Sequence, residues 1–253
     1  MKRGKLLIYK YYSNNDNFED FSCGRVLYNK AGIPNYPVKI TGEIFKRCLE
    51  YLDKKEDIAV YDPCCGGGYL LTVLGLLNPD IIVKIIGSDI SQEVIVVAKD
   101  NLSLLTVDGI LRRKNQINDM VINFDKQSHK DAFKSTEVFL DIAEHRAINP
   151  KIICFNADVL NKESFEKLNF KADIIITDVP YGNLVAWSDV DEKNNTIDRL
   201  LDNIIPILHK DTIIAISTDK SQKIRNEHFI RHNKFKIGKR VIYILQVKGE
   251  MTI

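Results

Sequence analysis

The sequence predicts an α/β fold: a doubly wound, mostly parallel sheet with an antiparallel C-terminal strand and an inserted helical pair. Three observations predict it. Near-continuous apolar runs at 58–61, 81–88, 152–155, 173–177 and 212–217 read as strands, the second suiting a parallel strand covered on both faces. Stretches with apolar residues at helical 3–4 spacing separate them. The first run passes through Asp62-Pro63-Cys64-Cys65-Gly66-Gly67-Gly68 directly into an apolar helix. That order of strand, glycine turn and helix is the context of a nucleotide-type ligand site.

At 253 residues the chain can bury one large core. Residues 1–253 are read as a single domain, with 1–36 as an N-terminal extension and a helical insertion at about 108–147. Hydrophobic residues make up 45% and charged ones 28%, an ordinary globular balance. No apolar run approaches the ~20 residues of a membrane span. The apolar start stops at Lys10, too short for a signal-peptide core, so a cytoplasmic protein without a membrane partner is expected. Cys23, Cys48, Cys64, Cys65 and Cys154 show no Cys-x-x-Cys spacing and read as free thiols. The net charge of +2 excludes an argument from overall basicity. Its distribution is uneven: Lys223, Arg225, Arg231, Lys234, Lys236, Lys239, Arg240 and Lys248 face only Glu227 and Glu250 in the last stretch. Such clusters can follow a phosphate backbone or serve as a solvated surface.

In chain order, Ser13-Asn14-Asn15-Asp16-Asn17 is a loop, and the residues before Pro34 and Pro37 are extended. Thr41 is expected to cap a helix through Ile44, Phe45, Cys48, Leu49 and Leu52. The glycine-turn helix follows, then the second strand, ending at Asp89. Ser91 opens a helix through Val94, Val97, Ala98, Leu102 and Leu105. The passage to the third strand exceeds what one crossover helix needs. Ile117, Val121 and Phe124 form one stripe and Phe133, Val138, Phe139 and Ile142 another, with Gln127-Ser128-His129 as the turn between them. The fourth strand ends in Asp178-Val179-Pro180-Tyr181-Gly182, and a helix through Ile197, Leu200, Leu201, Ile204, Ile205 and Leu208 precedes the fifth. The tail is read as a helix bearing His228 and His232, a short segment 235–237, a turn at Gly238-Lys239 and a long strand 241–247. The two histidines lack a third ligand and the His-Glu-x-x-His order, so no metal is assigned.

In a doubly wound sheet ligands bind beyond the carboxyl ends of the strands, where Asp62, Asp89, Asp158 and Asp178 all fall. Asp89 can accept two ribose hydroxyls, or stand as a solvent-facing loop acid. Asp158 can accept from an adenine amino group while Val159 covers the ring, or cap a turn. The expected cofactor set is Asp62, Cys64, Cys65, Gly66, Gly68, Asp89, Ile90, Asp158 and Val159. Asp178, Pro180 and Tyr181, at the end of the fourth strand, form the candidate catalytic set. Arg25, Arg231, Lys239 and Arg240 are candidate contacts to a phosphate backbone, with Trp187 as a candidate stacking face beside them.

The order Asp62-x-x-x-Gly66-x-Gly68 resembles the first motif of class I S-adenosylmethionine-dependent methyltransferases, with Cys64 where many members have a glycine. Asp178-Val179-Pro180-Tyr181 resembles the Asn/Asp-Pro-Pro-Tyr/Phe motif of methyltransferases acting on exocyclic amines of nucleobases, Val179 replacing the first proline. With Gly24-Arg25-Val26-Leu27, the 37–45 segment and the distinctive Pro63-Cys64-Cys65-Gly66 run, the chain resembles the avilamycin-resistance ribosomal RNA methyltransferase family from about residue 24 to the C-terminal strand. The resemblance implies a Rossmann-like class I methyltransferase fold and S-adenosyl-L-methionine as methyl donor. It implies a guanine of 23S ribosomal RNA, naked or in a large-subunit precursor, as acceptor. Resistance to a ribosome-targeting antibiotic is the implied role. The alternatives are methylation of another base or a small molecule, a nicotinamide-dependent oxidoreductase sharing the glycine turn and Asp89, and a non-catalytic RNA-binding module. The oxidoreductase lacks Gly-x-Gly-x-x-Gly and gives Asp178-Val179-Pro180-Tyr181 no role.

Overall fold

In the computed structural model, which describes residues 9–249 except 14, 34, 147–148, 167 and 180–195, the apolar runs become strands of one sheet. They are β1 (Ile58–Asp62), β2 (Ile82–Asp89), β3 (Lys151–Asn156), β4 (Ala172–Asp178), β5 (Leu208–Thr218), β6 (Phe229–Ile237) and β7 (Arg240–Val247). The helices are α1 (Val38–Tyr51), α2 (Tyr69–Leu77), α3 (Gln92–Ser103), α4 (Val107–Phe124), α5 (Gln127–His145), α6 (Glu163–Glu166) and α7 (Thr196–Asn203). The strand order is β3-β2-β1-β4-β5-β7-β6. β7 runs antiparallel to both neighbours, and the other pairings are parallel. The chain travels outward from β1 to β3, then returns to lay β4 on the other side of β1. That reversal opens a crevice at the carboxyl ends of β1 and β4, the position at which such sheets bind ligands.

The continuous apolar character of the strands follows from two cores. Val60, Ile85, Ile174, Ile176, Ile213, Ala215, Ile242 and Ile244 point to one face, which α1, α2 and α3 cover, with α4 and α5 packed behind α2 and α3. Tyr61, Ile86, Ile175, Ile214, Ile216 and Tyr243 point to the other, beneath α6 and α7. Strands buried on both faces have no polar side to alternate with.

Three local expectations are corrected. Thr41 lies inside α1, whose N-cap is Pro37, and its hydroxyl donates back to the Pro37 carbonyl at 3.2 Å. The turn between α4 and α5 falls at Asp125-Lys126, with Asp125 in the left-handed region at φ 49°, so Gln127 already begins α5. The segment 229–237 is strand, paired along its length with β7, and the helix expected to carry His228 and His232 is absent. A register shift between Arg231 and Asn233 inserts an extra residue there. The bulge breaks the period-2 pattern that marks a strand. His232, at the bulge, stacks on Tyr51 with ring centroids 4.8 Å apart and shares a 2.6 Å hydrogen bond with Gln246 Oε1.

Candidate active site

The crevice is built first from the chain leaving β1. Asp62, 2% exposed, accepts the Cys64 N–H at 3.0 Å. Cys65 N–H donates to the Ser88 carbonyl at 2.9 Å, and Gly68 N–H to Cys65 O at 2.9 Å, closing the turn. Gly66 and Gly68 have φ of 52° and 73°, where an L side chain is strained. A Cβ on Gly68 would also lie 3.0 Å from the backbone of Ala98, whereas one on Gly66 would meet only Ile33 at 3.7 Å. At Gly66 the positive φ is therefore the constraint, since a Cβ there would reach Ile33 only at ordinary contact distance.

Asp89, at the end of β2, is fixed through both oxygens: Oδ2 accepts Gly66 N–H and Oδ1 accepts Ser91 N–H, each at 3.0 Å. Each oxygen keeps a further lone pair for a ligand hydroxyl. Next to it Ile90 is 54% exposed, a large apolar side chain left uncovered at the rim. Asp158 Oδ1 accepts the Leu160 N–H at 2.8 Å, and Val159 is buried in the second core. Cys65 is buried and Cys64 partly so, both against this acidic cluster.

The acids press on one another. Burial pushes the Asp62 carboxyl up to about 7; the Thr177 hydroxyl and Cys64 N–H oppose the rise, and the charges of Asp89 and Asp178 add to it. Asp178 ends β4 and pairs in register with Ser217 of β5. Burial raises its carboxyl as well, against the Ser217 hydroxyl and Arg240.

The structure brings Asp62, Cys64, Cys65, Gly66, Gly68 and Asp89 to one turn, with Asp178 across the switch point. Pro180, Tyr181 and Trp187 lie outside the described residues. The expected RNA contacts separate. Arg231 and Lys239 are exposed on the β6–β7 hairpin. Arg25 is held by Glu19 at 2.7 Å and Asp20 at 3.6 Å. Arg240, grouped in the sequence with the surface charges, sits instead with Nε 3.6 Å from Asp178 Oδ1 and its guanidinium 4.8 Å from the Tyr36 ring centroid.

Sequence reasoning missed the groups that roof the turn. Ile33 lies over Gly66 and Gly67. Asn101 Nδ2 donates to Gly67 O at 2.8 Å and Tyr28 O at 3.0 Å, while Oδ1 accepts Tyr28 N–H at 2.8 Å. One buried amide thus ties the N-terminal segment to the glycine turn. An asparagine within a helix carries no sequence signal of such a partner.

The family profile of the rRNA methyltransferase AviRa matches residues 7–240. The chain is 31% identical over 236 residues to the 23S rRNA (guanine(2535)-N(1))-methyltransferase of Streptomyces viridochromogenes, covering 92% of this chain and 93% of that protein. The 1.5 Å structure of the rRNA methyltransferase AviRa from Streptomyces viridochromogenes matches with a TM-score of 0.85 at 27% identity, over 94% of this chain and 96% of that one. A Listeria monocytogenes protein assigned to the class I S-adenosylmethionine-dependent methyltransferases shares the fold, with a TM-score of 0.52 at 15% identity over 89% of this chain and 64% of that one. The nicotinamide-oxidoreductase alternative falls with these matches. By sequence along almost its whole length and by fold, the chain belongs to the AviRa rRNA methyltransferase family.

Proposed function

We propose that this protein methylates a guanine of 23S ribosomal RNA with S-adenosyl-L-methionine as donor, and that the acceptor atom is the ring nitrogen N1, as named for the Streptomyces relative. The residues present fit the cofactor. Gly66 and Gly68 take the left-handed turn that brings the backbone to the crevice, Asp89 offers lone pairs for ribose hydroxyls, Ile90 offers an apolar face, and the acidic cluster suits a ligand with a net positive charge. When bound, the cofactor supplies a methyl group already activated on a sulfonium.

The observation that carries the reading is Asp178, largely buried at the carboxyl end of β4, beside the β1 strand that leads into the glycine turn. Guanine keeps its N1 proton at neutral pH, so N1 becomes a nucleophile only as that proton leaves. A carboxylate raised by burial is a better base than one in water. An N1 acceptor changes the role that the motif resemblance alone assigns to Asp178. It takes the ring N–H instead of holding an exocyclic amine. Tyr181 is proposed as the stacking face for the extruded base. The protein then acts in the cytoplasm on 23S RNA or a large-subunit precursor, with resistance to a ribosome-targeting antibiotic as the consequence.

The test is incubation with labelled S-adenosylmethionine and, in parallel, naked 23S RNA, assembled large subunits and nucleosides. Label is expected in 23S RNA, with a reverse-transcription stop at one guanine, because an N1 methyl blocks Watson–Crick pairing. Label confined to nucleosides, or a modified guanine that reverse transcriptase reads through, would overturn the proposal.

A further inference from the structure

We propose that Arg240 is a positioning residue for this reaction: its guanidinium holds the Asp178 carboxylate ionised and aimed into the crevice, a role that rests on the guanine-methylation reading above. Arg240 opens β7, and the antiparallel register sets Val241 against Thr218, so Arg240 emerges beside the end of β5 where Ser217 pairs with Asp178. Its Nε faces Asp178 Oδ1 at 3.6 Å, and each side chain is 22% exposed. Neither atom has a hydrogen-bond partner among the described residues. The gap leaves Oδ1 with lone pairs uncommitted and the cation still close. The guanidinium is pre-set by stacking on Tyr36, itself buried just ahead of α1. A planar cation fixed in this way loses less freedom on pairing than a lysine would.

The groups around Asp178 set its charge in opposite senses. Asp62 faces it from β1, the Ser217 hydroxyl from β5 and Arg240 from β7. Burial favours the protonated form, which cannot accept the N1–H. Arg240 is the cation among these groups. A cation beside a carboxylate lowers its pKa by about 1–3 units, which opposes the rise that burial causes.

The test is the pH dependence of single-turnover methyl transfer to 23S RNA by the wild type, Arg240→Gln, Arg240→Lys and the Asp178→Asn variants with and without Arg240→Gln. The acid limb of Arg240→Gln is expected to move up by about 1–3 pH units. Lysine should reverse most of that shift, because it keeps the charge though not the planar fork. Cofactor affinity should stay within about twofold of the wild type. In the residual activity of Asp178→Asn, Arg240→Gln should move nothing further. A folded Arg240→Gln enzyme whose limb matches the wild type overturns the proposal. If the glutamine variant does not fold, a carboxyl carbon-13 titration of the wild type decides, with the Asp178 resonance identified by its loss in Asp178→Asn. An ionised Asp178 at pH 7.5 supports the role and a protonated one ends it. A wild type that methylates no RNA removes the functional reading, and the titration then judges the ion pair alone.

Discussion

Asp62 lies beneath the glycine turn with its carboxyl pushed up to about 7, chiefly by burial. In the unfolded chain it ionises near the model-peptide value of about 3.9. The folded state therefore binds the extra proton between those values, and this contribution to stability is present at low pH and lost as pH rises through about 7. A ligand of net positive charge reverses the preference. S-adenosylmethionine affinity is thus expected to rise as pH goes from 6 to 8, whereas the product, which lacks the sulfonium charge, should show a smaller rise. Calorimetry across that range checks it, and a flat affinity for both would place the charge elsewhere. Asp89 acts differently, because both its oxygens are already anchored by Gly66 and Ser91. Asp89→Ala should weaken cofactor binding by roughly 1.5–3 kcal/mol, the scale of a hydrogen bond to a charged group. Wild-type affinity in a folded Asp89→Ala protein would remove it from the cofactor set.

At the scale of elements, α1 holds the N-terminal segment through one buried acid. Glu43, fully buried, accepts the backbone N–H groups of Lys10 at 2.7 Å and Tyr11 at 2.9 Å and pairs with Arg47 Nε at 2.7 Å. Arg47 in turn stacks on Phe235 of β6 at 4.0 Å. Glu43→Ala leaves Arg47 largely buried without its counterion and frees two N–H groups. Denaturant titration is expected to show a loss of about 3–5 kcal/mol, the cost of breaking a buried pair. A loss below 1 kcal/mol would mean the segment is held by its aromatic contacts instead. None of this was legible in the sequence, where Glu43 and Lys10 lie 33 residues apart. β1, β2 and β4 were legible because burial on both faces makes them apolar, whereas β3 at the sheet edge is only partly buried and was legible from its short apolar run. β6 was not, since its bulge at His232 disrupts the alternation and Phe235 and Ile237 then look like an isolated fragment. Within the site, the glycine turn and the four aspartates could be placed because strand ends are easy to locate. The Asp178–Arg240 pair could not, because it forms only when β7 inserts beside β5.

Across the whole molecule, the near-neutral total conceals a division among the basic residues. Arg240 and Arg47 are committed to contacts inside the fold, and Arg25 to Glu19 and Asp20. Arg231, Lys234, Lys236 and Lys239 remain exposed along the β6–β7 hairpin at the sheet edge. The hairpin turn places Lys239 next to Arg240, so this edge runs to the crevice that holds Asp178. An RNA strand entering the crevice would therefore pass the exposed charges. Each phosphate contact contributes about 0.7–0.9 to the slope of log affinity against log salt. Removing the charges of Arg231 and Lys239 together should flatten that slope by about 1.4–1.8. Arg240→Gln should leave the slope unchanged while altering the pH profile of the reaction. Filter binding across a salt series separates the two. A slope that responds to Arg240→Gln as strongly as to a surface charge would put Arg240 on the RNA backbone. A slope indifferent to Arg231 and Lys239 would move the phosphate track to another face of the protein.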